Sequence, residues 1–150
     1  MKYLMVAVTL FTCTGCNSFP RSTISVDDVI KQARTCDHAA LYFSGFDGPP
    51  RGVHFSGTQE AFEVISRLKI KGAFEPRDDQ SAYGSHDITS LRFYDADGRQ
   101  RVSVQTVGLS VVVVQCADAE YEADLADDGM LRAILAYEGS AQELLKPPAD

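Results

Sequence analysis

Residues 91–116 read LRFYDADGRQRVSVQTVGLSVVVVQC, and their pattern decides the fold class. Leu91 and Phe93 alternate with Arg92 and Tyr94, the two-residue period of a strand with one apolar face. Asp95, Asp97 and Gly98 supply turn chemistry: aspartate carboxylates accept from nearby backbone N–H groups, and glycine takes positive φ without a Cβ penalty. Val102, Val104 and Thr106 then alternate with Ser103, Gln105 and Val107, and Gly108 ends that run. Val111–Val114 is a run of consecutive valines leading to Gln115 and Cys116. β-Branching restricts χ1 against a helical turn, so this run predicts a strand covered on both faces. The expected fold class is α+β: a small antiparallel sheet, with the meander 91–116 at its centre, packed against two or three helices. The Asp95–Gly98 turn is not calcium chemistry. An EF-hand loop with Gly98 at its sixth position needs acids where Phe93 and Val104 stand.

Outward from the meander, Ser25, Asp27 and Asp28 form a helix-start pattern, and Val26, Val29, Ile30 and Ala33 fall on one face. Residues 38–43 (HAALYF) and 53–55 predict strands, separated by the turn-rich DGPPRG of 47–52. Thr58 is the expected N-cap of a second helix carrying Ala61, Phe62, Ile65 and Leu68, with Glu63–Arg67 as an i,i+4 pair. Residues 71–90 show no sustained period. In a compact domain such a stretch is a solvated connector or a contact loop, and Arg77, Tyr83, His86 and Asp87 are its candidate binding residues. Residues 117–126 fit strand by alternation and helix by composition. Gly129 begins an expected helix with Met130, Leu131, Ile134 and Leu135 as its apolar set, stopped by Gly139. Ser140 and Glu143 suggest one more capping box before Pro147 and Pro148 end regular structure.

The start of the chain has a different logic. Lys2 precedes an apolar run, YLMVAVTLF at 3–11, of signal-peptide length and too short to span a bilayer. Cys13-Thr14-Gly15-Cys16 follows. This segment resembles the lipobox of bacterial lipoprotein precursors, with small residues before the cysteine that becomes lipidated, although Cys13 stands where that family usually has an aliphatic residue. The resemblance covers residues 1–16 only. It implies a signal peptide over 1–15, cleavage before Cys16, and acyl chains on the Cys16 thiol that hold the protein to a membrane. Asn17 after the cysteine, rather than aspartate, implies the periplasmic face of the outer membrane in a double-membraned bacterium. Residues 16–24 would then be a lipidated tether, 25–146 one α+β domain and 147–150 a tail.

Removing residues 1–15 would leave 135, one domain's worth. The whole chain carries −7, and the signal contributes only Lys2, so the remainder carries −8. That acidity disfavours nucleic acid as a partner and favours solubility. With Cys13 removed and Cys16 acylated, Cys36 and Cys116 remain. In an oxidising compartment they are expected to form a disulfide closing an 80-residue loop. The chain-entropy model gives such a loop roughly 4–5 kcal/mol. Two buried free thiols are the alternative.

Catalytic chemistry is not legible. Ser44-Gly45 and Ser56-Gly57 are fragments of a nucleophile elbow, not the motif. Ser85-His86-Asp87 names triad residue types, but adjacent side chains diverge rather than converge on one atom. His38, His54 and His86 stand far apart, with no zinc spacing, and no phosphate-binding loop is present. No metal or cofactor is expected. The residues point to a non-catalytic, membrane-tethered domain binding another envelope protein, in the manner of an inhibitor or immunity protein. The alternatives are an accessory subunit of an envelope or secretion complex and, behind it, a small hydrolase using His86.

Overall fold

A computed structural model describes residues 22–44, 51–77 and 88–143. The fold is mixed α+β and mostly sheet. Among the described residues the elements run α1 (Val26–Ala33), β1 (His38–Ser44), β2 (Arg51–His54), α2 (Gln59–Ile65), β3 (Glu75–Pro76), β4 (Ile88–Tyr94), β5 (Gln100–Val107), β6 (Val111–Cys116), β7 (Ala119–Asp124), α3 (Gly129–Leu135), a 3-10 turn (Glu138–Ser140) and β8 (Gln142–Glu143).

The strands form one antiparallel sheet of eight, in the order β3-β7-β6-β5-β4-β1-β2-β8. The sheet is therefore larger than the small one expected, although the meander does stand near its middle. The extra width comes from β1 and β2 added beside β4, β7 beside β6, and two-residue strands at both edges. Very short edges leave little unpaired backbone for a foreign strand. The chain crosses the sheet twice. The segment holding α2 leads from β2, near one edge, to β3 at the other, and the segment holding α3 leads from β7 back to β8. The two crossing helices touch each other, and α1 lies against β5 and β6.

Register assigns each strand position to a face. Ala39, Leu41 and Phe43 align with Phe93, Leu91 and Thr89. These continue through Val102, Val104 and Thr106 to Val112 and Val114. This is the core side. Val29 and Ala33 of α1, Ala61, Val64 and Ile65 of α2, and Met130 and Ile134 of α3 are buried in the same cluster. Phe62 of α2 stacks on Phe93 at 5.6 Å, which seats that helix on the sheet as its apolar spacing requires. Val112 and Val114 face the helices while Val113 faces the other way, and all three are buried.

The Asp95 turn forms as expected: its carboxylate accepts from the N–H groups of Asp97 (3.1 Å) and Arg99 (2.9 Å), and Gly98 has φ +76°. Within residues 117–126, Ala119–Asp124 is strand. Tyr121 and Ala123 pack against the core from β7, and pairing with β6 outweighs local helix propensity. Several expectations are corrected. The Ser140–Glu143 box does not start a helix; Gln142 and Glu143 pair with Gly52 and Arg51, because the returning chain meets the open edge of β2. Gly139 lies inside the 3-10 turn, and the α3 cap is Ala136. Leu135 is exposed rather than apolar-face. The α2 helix ends at Ile65, so Arg67 is not on it to pair with Glu63; Thr58 is its N-cap as expected, without a side-chain cap bond. The unpatterned stretch is structured at its start: Phe74 is fully buried and exchanges backbone hydrogen bonds with Ile24 at 2.9 and 3.1 Å. Ile24, assigned to the tether, thus belongs to the fold.

The expected Cys36–Cys116 disulfide is not formed; both cysteines are free thiols. Cys36 follows the end of α1, with its Sγ 3.9 Å from the Gln32 carbonyl. Cys116 senses the carboxylate of Asp28, in the first turn of that helix. Cys116 ends β6 on the core side of the sheet, opposite Val102 of β5.

Candidate functional site

The second face of the sheet carries none of the described helices. Its residues are those that alternate with the core: His38, Ala40 and Tyr42 on β1, His54 on β2, Ser90, Arg92 and Tyr94 on β4, and Ser103, Gln105 and Val107 on β5. Tyr42 lies opposite Ser90, and Tyr94 opposite His38. The two tyrosines therefore sit four register positions apart, about 13 Å along the strands. Their side chains lean toward each other until the hydroxyls are 3.0 Å apart in a shared hydrogen bond. Between them stands Ala40, small enough to lie beneath and almost fully buried.

Arg92 fills the centre of this arrangement. Its guanidinium carbon lies 4.6 Å from the Tyr42 ring centroid, and Nε donates to Ser90 Oγ at 3.0 Å. A guanidinium over an aromatic face is worth about 0.5–1 kcal/mol at an exposed site. Ser90 Oγ in turn lies 3.5 Å from Ser103 Oγ, to which the Gln105 amide donates at 3.5 Å. Ser90 and Ser103 are buried beneath this cluster. His54 meets the Tyr42 ring edge-on at 6.3 Å. Burial, then the hydrogen bond from Tyr42, pushes the Tyr94 phenol up to about 12, against the opposing pull of the Arg92 cation beside it. Tyr94 is a neutral hydrogen-bonding group at physiological pH, not a proton shuttle.

Across the same face, β7 presents Glu120, Glu122 and Asp124. Arg77, one of the candidate binding residues, lies here. Its side chain is only 11% exposed, with Nη1 3.4 Å from Glu120 and Nε 3.6 Å from Glu122. It holds β3 to β7 and offsets the charge of Glu75 standing directly opposite Glu122. Tyr83, His86, Asp87 and Cys16 lie outside the described residues. Among the described residues no group of three or more His, Cys, Asp and Glu side chains is placed to hold a metal ion.

The tyrosine–arginine cluster was not singled out in the sequence, although its signal was present. Arg92 and Tyr94 are the polar half of the alternation that identified β4. What the pattern lacked was the partner strand, since only the β1–β4 register brings Tyr42 to them. No family model, no curated protein and no solved structure matches this chain.

Proposed function

We propose that this is a lipid-anchored envelope protein that binds another protein through the helix-free face of its sheet, acting as a non-catalytic, immunity-like or inhibitory partner. One observation carries the reading: among the described residues the three helices cover one face, while the other presents an aromatic and cationic cluster of Tyr42, Tyr94 and Arg92. Tyrosine and arginine supply large contact area with few rotatable bonds and are enriched at protein interfaces. The lipobox at residues 13–16 supports the membrane tether, with Cys16 as the acylated residue. No described helix is long and apolar enough to cross a membrane. Acyl chains would supply the anchor instead.

The test places a photo-crosslinking residue at Tyr42 and, as a control, at Glu63 on the helical side, in cells producing the full chain. A discrete adduct from Tyr42 and none from Glu63 is the expected result. Equal labelling from both positions, or none from Tyr42, sinks the reading. In the same cells Cys16→Ala should move the protein from the membrane to the soluble fraction; continued membrane residence would remove the anchor assignment.

A further inference from the structure

We draw no further inference here: the strongest candidate, the helix-free face of the sheet around Tyr42, Arg92 and Tyr94, belongs to the site already described, and nothing among the described residues shows what covers it.

Discussion

Tyr94 concentrates what single residues contribute here. Its phenol is held neutral by burial and by the Tyr42 hydroxyl, with its folded value at about 12 against an ordinary 10.0. The linkage has a definite sign. A group with a raised folded value contributes stability that is fully present below pH 10.0 and is lost as pH rises toward about 12. Tyr94→Phe removes the titrating group. We expect the denaturation midpoint of the wild type to fall more steeply over that alkaline window than the midpoint of the variant. Below it, the variant should be weaker by roughly 0.5–1.5 kcal/mol, the net worth of one hydrogen bond. Parallel pH profiles for the two proteins would show that Tyr94 is not the group that titrates. Ala117 is a second point of local tension: it takes φ +54° in the tight turn between β6 and β7, a region L-residues seldom adopt.

At the scale of elements, α1 shows how local chemistry can specify a short helix. Eight residues are too few to be helical alone in water. The Ser25 hydroxyl accepts from the Asp28 N–H at 3.2 Å, and the Asp28 carboxylate accepts from the Ser25 N–H at 2.9 Å. The Ser25 backbone, followed by its hydroxyl, holds the Asp28 carboxyl below its ordinary value of 3.8. Ser25→Ala should cost about 1 kcal/mol at neutral pH. The sign for a depressed carboxylate is the reverse of the tyrosine case: the contribution is present above pH 3.8 and lost as pH falls below it. The Ser25→Ala penalty, read from urea unfolding, should therefore shrink in acid. A penalty unchanged by acid would mean that the bond the Ser25 hydroxyl donates to the Asp28 carboxylate, at 2.7 Å, contributes nothing. By contrast, α2 and α3 have no side-chain cap bonds. Their stability comes from Phe62 on Phe93 and from Met130 and Ile134 in the core.

At the scale of the molecule, the two cysteines report on how the layers are assembled. Burial raises both thiols above the ordinary 9.0, so neither is a ready nucleophile at neutral pH. Cys36 is buried and Cys116 half-buried, so iodoacetamide should modify Cys116 first in the native protein and both in urea. Resistance of both thiols in urea without reductant would reveal a bond between them. The disulfide expectation came from counting cysteines and from compartment. Neither consideration says how the two thiols are placed in the fold.

The sequence by itself determined the α+β class, the meander with its Asp95 turn, the capped first helix and the lipobox resemblance at Cys16. These are local: strand period, turn chemistry and caps are written within a few residues of where they act. Only the tertiary structure decided the width of the sheet, the strand state of 119–124, the exposure of Leu135, the edge strand at Gln142–Glu143 and the burial of the two free thiols. Each depends on which distant segment supplies the missing hydrogen bonds or cover. The proposed binding face belongs to the second group for the same reason. Arg92 and Tyr94 read as outward-facing from the start, but they form a site only because β1 pairs with β4 and sets Tyr42 beside them, a juxtaposition across about fifty residues of chain that no local pattern encodes.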